Sequence, residues 1–363
     1  FFFKHKTESA ILSGLVGSEM CIRDRLGMAI NVAISGFGRI GRLVLRSIIE
    51  NKRRDINIVA INDLAPVETN AFLLSYDSIH GPLKEKISIK NGQIVIGKKK
   101  IAVLKERDPK QLPWKKLKID IVFECTGLFT SKDTASMHLK AGAKKVLVSA
   151  PCSDADKTIV YGVNHETLTK KDIVVSNASC TTNCLAPVTK VLNDNFGIVH
   201  GYMTTIHAYT GDQKVLDTFH SDPRRARAAA LSMIPTSTGA AKAVGLVMPE
   251  LAGKLDGTAI RVPTPNVSLI DFKFVTKKKV TAENINKAMT KASKSKNLKG
   301  ILTVNSEPLV SSDFNHNPAS SNFDLTQTQV IDGTFGRVLS WYDNEWGFSN
   351  RMCDTAVVMS KSK

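Results

Sequence analysis

The chain has 363 residues, 42% of them hydrophobic and 23% charged, an ordinary globular composition whose length suggests two domains. No run of about 18 apolar residues occurs, so a membrane-spanning helix is excluded. Lysine and arginine number 50 against 33 acidic side chains, a formal charge of +17. Such a balance suits anionic metabolites or nucleic acid, but the lysine runs at 98–100, 115–118 and 277–279 do not interleave with aromatics as single-strand binders require.

Residues 1–27 read as a leader foreign to the fold and are expected to be disordered. Phe1 to Phe3 and the run Leu15 to Arg25 have no amphipathic period. Glu8, Glu19 and Asp24 argue against a transit peptide, and no small-residue cleavage signal follows an apolar core. Cys21, Cys125, Cys152, Cys180, Cys184 and Cys353 form neither a C-x-x-C pair nor a secreted disulfide framework. A reducing, cytoplasmic compartment is expected.

From Met28 the pattern alternates between buried strands and helices. Ile30 to Ser35 is an apolar run that ends at glycine, and Arg39 to Lys52 places Ile40, Leu43, Val44, Ser47 and Ile48 on one helical face. Strands are expected at Ile56 to Asn62, Ile119 to Glu124, Lys145 to Val148 and Ile173 to Ser176, with a crossover helix from Thr130 to Ala141. Strand, helix and strand in succession imply a parallel sheet covered on both faces. After about residue 200 the chain turns β-rich, at Val199 to Tyr209, Ala259 to Val275 and Thr334 to Tyr342, with a helix from Ala282 to Ser295. This reads as a second, mixed or antiparallel domain.

Between the first strand and helix lies Gly36-x-Gly38-x-x-Gly41. One glycine makes a tight turn, one lets backbone approach a pyrophosphate, and one allows close helix–strand packing. The helix start adds unpaired N–H groups and a positive dipole end. Asp63 ends the second strand, 22 residues beyond Gly41. A carboxylate there can accept from ribose hydroxyls and repel a 2′-phosphate, which favours NAD over NADP.

The run IVVSNASCTTNCLAPV puts Ser179, Cys180 and Thr181 at a strand-to-helix junction. A thiol at a helix N-terminus feels the positive dipole end, which predicts a lowered pKa, and N–H groups there could hold an oxyanion. Pro187 predicts a kink. No second ligand pair completes a metal site with Cys180 and Cys184, so no metal is expected. His207, at the end of a candidate strand, could accept a thiol proton if the fold brings it near Cys180. Thr210, Arg225, Thr238, Gly239 and Arg261 are polar residues in apolar or small-residue settings and suit phosphate oxygens.

The runs NVAISGFGRIGR, SNASCTTNCLAP, TTIHAYTGDQ, RRARAAALSMIPTSTGAAKAVG, GKLDGTAIRVPTPNVS and SWYDNEWGFSNR closely resemble the phosphorylating glyceraldehyde-3-phosphate dehydrogenase family, from Met28 to the C-terminus. The resemblance implies an α/β fold with a Rossmann NAD-binding domain at 28–179 and an α+β catalytic domain at 180–342. A C-terminal helix at 343–363 would return to the first domain. It implies Cys180 as nucleophile and His207 as its activator. Thr210 and Arg261 would bind the C3 phosphate of glyceraldehyde 3-phosphate. Arg225, Thr238 and Gly239 would bind inorganic phosphate, with Ser179 and Thr181 flanking the thiol. Arg39, Ile40 and Asp63 would meet the adenosine end of NAD, Arg107 and Ser149 would make further cofactor contacts, and Asn344 would meet the nicotinamide carboxamide. The family is typically homotetrameric. Phe348 stands where many members carry tyrosine. Thr218 and Phe219 replace a leucine and proline of some relatives near the adenosine ribose, which loosens the exclusion of NADP. Two alternatives stay open: erythrose-4-phosphate dehydrogenase, and a nucleic-acid-binding role on the same fold.

Overall fold

A computed structural model describes residues 29–152 and 154–362; the leader assigned to 1–27 lies outside them. The first half runs β1 (Ile30–Ser35), α1 (Arg39–Glu50), β2 (Ile56–Asn62), α2 (Val67–Ser75), β3 (Ile87–Lys90), β4 (Gln93–Ile96), β5 (Lys99–Leu104) and β6 (Ile121–Glu124). It continues with α3 (Lys132–Ala135), α4 (Met137–Lys140), β7 (Lys145–Val148), β8 (Lys157–Thr158) and β9 (Val174–Ser176). These strands form one nine-stranded sheet in the order β3-β4-β5-β2-β1-β6-β7-β9-β8. Pairing is parallel from β5 through β8, while β3 and β4 add an antiparallel ribbon at one edge.

β1 is apolar on both faces because both are covered. It pairs with β2 on one side and β6 on the other, so the strand order reverses at its C-terminal end. Open α/β sheets bind ligands in the crevice at such a reversal. The glycine turn follows directly.

The second half runs α5 (Cys180–Phe196), β10 (Ile198–Ala208), β11 (Ile234–Ser237), α6 (Ala240–Val247), β12 (Leu255–Val262), β13 (Ser268–Thr276) and α7 (Ala282–Ser293). Then come β14 (Leu302–Asn305), β15 (Ser321–Asp324), β16 (Gln329–Ile331), β17 (Phe335–Tyr342) and α8 (Trp346–Lys361). The second sheet is eight-stranded and mixed, ordered β11-β12-β10-β13-β17-β15-β14 with β16 on β17. α5 lies against it, burying Leu185, Val188 and Leu192 with Met203, Ile270 and Phe272. The chain then returns: Phe348, Met352, Cys353, Ala356 and Met359 of α8 join the core formed by β1 and α1.

Two expectations need correction. The crossover helix over Thr130 to Ala141 is two single turns, Lys132–Ala135 and Met137–Lys140, parted at Ser136. Tertiary bonds override its helical pattern: His138 Nδ1 accepts from Trp114 Nε1 at 3.0 Å and its Nε2 meets Glu124 Oε2 at 2.8 Å, all buried. The run Ala259 to Val275 is two strands, because Pro263 and Pro265 remove the N–H groups a continuous ladder needs. α5 is one helix from Cys180 to Phe196 with Pro187 inside it.

Candidate active site

Cys180 is the first residue of α5, behind Ser179, whose Oγ accepts the backbone N–H of Thr182 at 3.1 Å. The turn before it places Ala178 at φ +57°, a left-handed conformation costly for alanine. The chain reverses at Gly197 (φ +69°), the usual device for ending a helix. β10 then runs back beside α5 and carries His207 to it. Cys180 Sγ lies 3.5 Å from His207 Nε2. The pair is in place.

Register supplies the third member. β10 and β12 are parallel with His207 directly opposite Arg261. Arg261 Nη1 donates to Ala208 O at 3.0 Å and stands 2.8 Å from His207 Nδ1, which is itself 2.7 Å from Ala208 O. The cation disfavours the imidazolium; of the two neutral tautomers, the Arg261 contact calls for Nδ1 as acceptor and the Ala208 O contact for Nδ1–H, and a base towards the thiol requires the second. That leaves the Nε2 lone pair facing the thiol. Burial, reinforced by the Arg261 guanidinium, holds the imidazole down at about 3, so His207 is neutral throughout the physiological range.

The thiol corrects an expectation. Burial pushes the Cys180 thiol up, while Arg261 and the hydroxyl and N–H of Thr181 oppose it. The helix dipole acts in the same favourable direction but does not stand alone against desolvation. Cys184 and Cys353, deeper in the two cores, are pushed up by burial to about 12. Cys180 keeps a partly exposed side chain beside a base.

Arg261 and Arg225 act on this pair through their charge. Arg225 Nε donates to Thr236 Oγ1 at 2.9 Å, Nη1 to Asp212 Oδ2 at 2.7 Å and Nη2 to Ser237 O at 3.2 Å. The charge of Arg225 reaches His207, and Arg225 and Arg261 feel one another. Arg261 Nε is buried without a partner, a donor of the kind a ligand oxygen satisfies. Thr210 N–H donates to Gln213 Oε1 at 2.8 Å. Thr238 and Gly239 precede α6, with the Ala240 N–H donating to Thr238 Oγ1 at 3.2 Å.

The dinucleotide cleft is a cavity of about 360 Å³ lined by Ser35, Gly36, Gly38, Asp63, Arg107 and Thr126, among others. Gly36 sits at φ +86°, and a Cβ there would meet the Thr126 N at 2.6 Å; one at Gly41 would meet the Gly36 carbonyl oxygen at 2.1 Å. At Gly38 a Cβ would touch nothing within 4 Å, and this residue starts α1 with no side-chain cap. The helix N–H groups therefore stay available at an open approach. Asp63 Oδ2 accepts from Phe37 N at 2.7 Å and Oδ1 from Ala65 N at 2.9 Å, which fixes its carboxylate in the lining. Ser35 Oγ is buried there without a partner. These features fit a dinucleotide.

A family model described as the glyceraldehyde 3-phosphate dehydrogenase NAD binding domain matches residues 30–132, and one described as the C-terminal domain matches residues 179–344. The glyceraldehyde-3-phosphate dehydrogenase of Xanthobacter flavus is 66% identical over 334 residues, covering 92% of this chain and 99% of that protein. Those of Cereibacter sphaeroides and Geobacillus stearothermophilus are 61% and 54% identical over the same shares. The chain belongs to the glyceraldehyde-3-phosphate dehydrogenase family. It is an NAD-dependent dehydrogenase.

Within this family fold the structure gathers Cys180, His207, Arg261 and Arg225, and separately Gly36, Gly38, Gly41, Asp63 and Arg107. Others sit differently from the simplest expectation. The Arg39 guanidinium is held by Asp77 (Nη1 to Oδ2, 2.6 Å) and by Glu345 (Nε to Oε1, 2.8 Å), so only its backbone belongs to the helix start, as does that of Ile40. Ser149 follows β7, its N–H donating to Glu124 O at 3.0 Å, outside the residues lining the cavity. The Thr181 hydroxyl points inward to Tyr342 OH at 2.9 Å. Phe348 is buried in the first core.

Tyr342 went unremarked in the sequence. Its hydroxyl bridges Thr181 and Thr205, at 2.9 and 2.8 Å, and its ring packs edge-on to His207 at 5.9 Å. Asp77 and Glu345, the Arg39 clamp, were missed too. No local pattern marks these residues; only register and chain return bring them together.

Proposed function

We propose that this chain oxidises D-glyceraldehyde 3-phosphate with NAD and inorganic phosphate to 1,3-bisphosphoglycerate, through a thioester on Cys180. The observation that carries this reading is the 3.5 Å approach of His207 Nε2 to Cys180 Sγ, with two arginines in electrostatic reach. His207 Nε2 takes the thiol proton, and the sulfur attacks the aldehyde carbon. The proton passes to the oxygen, giving a thiohemiacetal whose hydroxyl proton His207 then removes. Bound NAD supplies the hydride acceptor that makes this carbon a thioester. Phosphate oxygen attacks the thioester carbonyl, the C–S bond breaks, and His207 returns a proton to Cys180.

Arg261 and Thr210 suit the substrate's C3 phosphate, and Arg225, Thr238 and Gly239 suit the attacking phosphate, with Ser179 shaping the helix start and Thr181 bracing it. For the cofactor, the N–H groups at Gly38, Arg39 and Ile40 suit the pyrophosphate and Asp63 the ribose. Arg107, in the cavity lining, and Ser149, beyond it, suit further cofactor contacts, and Asn344 suits the nicotinamide carboxamide. Residues 28–179 are then the cofactor unit, 180–342 the catalytic unit, and 343–363 the returning helix.

A homotetramer is supported by the loop between β10 and β11. It exposes Val215, Leu216, Phe219, Leu231 and Met233, with Phe219 89% exposed, a patch that a second copy of the chain would cover. A cytoplasmic location is supported by the unpaired cysteines 125, 152, 180, 184 and 353. Among the described residues no helix is long and apolar enough to cross a membrane.

An NADH assay with glyceraldehyde 3-phosphate and erythrose 4-phosphate, with and without phosphate, tests the reading. Phosphate-dependent turnover should favour the triose, and His207→Asn should lower kcat by about 10²–10⁴-fold. Preference for the tetrose, or full activity in that variant, would overturn it.

A further inference from the structure

An asparagine amide has an acceptor end and a donor end, and the end facing a ligand decides what it can hold. Asn344 is buried just beyond β17, and its backbone is fixed by Asp343. Asp343 Oδ1 accepts the N–H groups of Glu345 and Trp346 at 2.9 and 2.7 Å, and Oδ2 those of His316 and Asn266 Nδ2 at 2.7 and 2.9 Å.

The side chain is governed by Ser268, the first residue of β13. The Ala208 N–H donates to Ser268 Oγ at 3.0 Å. A backbone N–H can only donate, so the serine oxygen is the acceptor there. Its single hydroxyl hydrogen is then free for Asn344 Oδ1, 2.9 Å away. With Oδ1 engaged, Nδ2 is the end left for a ligand. Ser268 is 2% exposed and follows Val267, whose φ of +66° is an outlier for a β-branched residue. Ala208 is shared by both halves of the site: its N–H sets Ser268, and its carbonyl accepts from His207 Nδ1 and Arg261.

We infer that Ser268 is a positioning residue that fixes the polarity of Asn344, so that the enzyme offers an N–H donor, and not a carbonyl acceptor, to the cofactor's carboxamide. This rests on the reading of Asn344 as the carboxamide partner. Nicotinamide carries both a carbonyl and an NH₂ and can pair with either end of a rotating amide. The 3-acetylpyridine analogue of NAD keeps the carbonyl and lacks the NH₂, so only the donor end of Asn344 can hold it.

Equilibrium binding of NAD and of this analogue, by titration calorimetry, reads the polarity without turnover. In Ser268→Ala the amide is free to turn and the analogue pairs with only one of its two orientations, so the Kd of the analogue should rise about twofold more than that of NAD. Ser268→Thr, which keeps the hydroxyl, should restore the ratio. Asn344→Asp replaces Nδ2 by oxygen and should weaken the analogue more than NAD; it carries the test if Ser268→Ala fails to fold. An unchanged ratio in both Ser268→Ala and Asn344→Asp, with Asn344→Ala weakening both ligands, would overturn the inference alone. If Asn344→Ala weakens neither ligand, the carboxamide reading fails as well.

Discussion

His207 carries no charge at neutral pH because its surroundings disfavour the imidazolium. Burial and then Arg261 hold it at about 3, whereas an unfolded imidazole titrates near about 6.5. As pH falls the unfolded chain therefore binds this proton first. The stability contributed by a neutral His207 is complete above about pH 6.5 and declines as pH drops towards 3. Denaturant melts across that window should give a flatter profile for His207→Asn than for the parent; equal slopes would count against the assignment. Arg261 also favours the ionised thiol, so Arg261→Gln should move the midpoint of Cys180 alkylation by iodoacetamide to higher pH. A midpoint that stays put or falls would remove Arg261 from the thiol's field. Cys180 was legible in the sequence from its place at a strand–helix junction. Its partner was not: 27 residues separate the two, and only the reversal at Gly197 makes them neighbours. Nor does local sequence indicate Arg261, which meets His207 through the register of two strands.

At the scale of elements, the glycine turn is where sequence carries most. Only glycine leaves the Gly36 carbonyl where Gly41 needs it, so Gly41→Ala should cost about 1–3 kcal/mol of stability through overpacking and weaken NAD binding, measured by melts and by titration. Undiminished NAD affinity would mean the turn does not cradle the cofactor. The start of α1 is also braced by Asp77. Burial would raise this carboxyl, but the N–H groups of His80 and Ile79 and then Arg39 outweigh it and leave it at about 2. Its contribution is present above the ordinary value of 3.8 and disappears as pH falls through 2. Asp77→Asn should therefore lower stability at neutral pH by about 1–3 kcal/mol and by less at pH 2; an equal loss at both would contradict the charge-based account. β1, β2 and β7 were legible to the residue, since buried parallel strands are short apolar runs bounded by turns. The turns α3 and α4 were not, because Trp114 and Glu124 draw His138 inward. Prolines within an apolar run likewise hid the break between β12 and β13.

At the scale of the whole molecule, composition gave the class and the motifs gave the two sheets, but no pattern in one chain shows what covers an exposed apolar loop. If copies of the chain meet there, Phe219→Ser should shift the mass seen by light scattering towards smaller species, and an unchanged mass would place the contact elsewhere. The charge of +17 bears on nucleic acid only if RNA affinity persists at physiological salt and NAD does not displace it. The central claim is a covalent one, and a single mixing experiment reaches it. With glyceraldehyde 3-phosphate and NAD but no phosphate, the enzyme should release a burst of NADH equal to its Cys180 content, with an acyl group on that residue by mass spectrometry. Turnover should then stall until phosphate is added. Steady turnover at full rate without phosphate, or an undiminished burst from Cys180→Ser, would contradict the account.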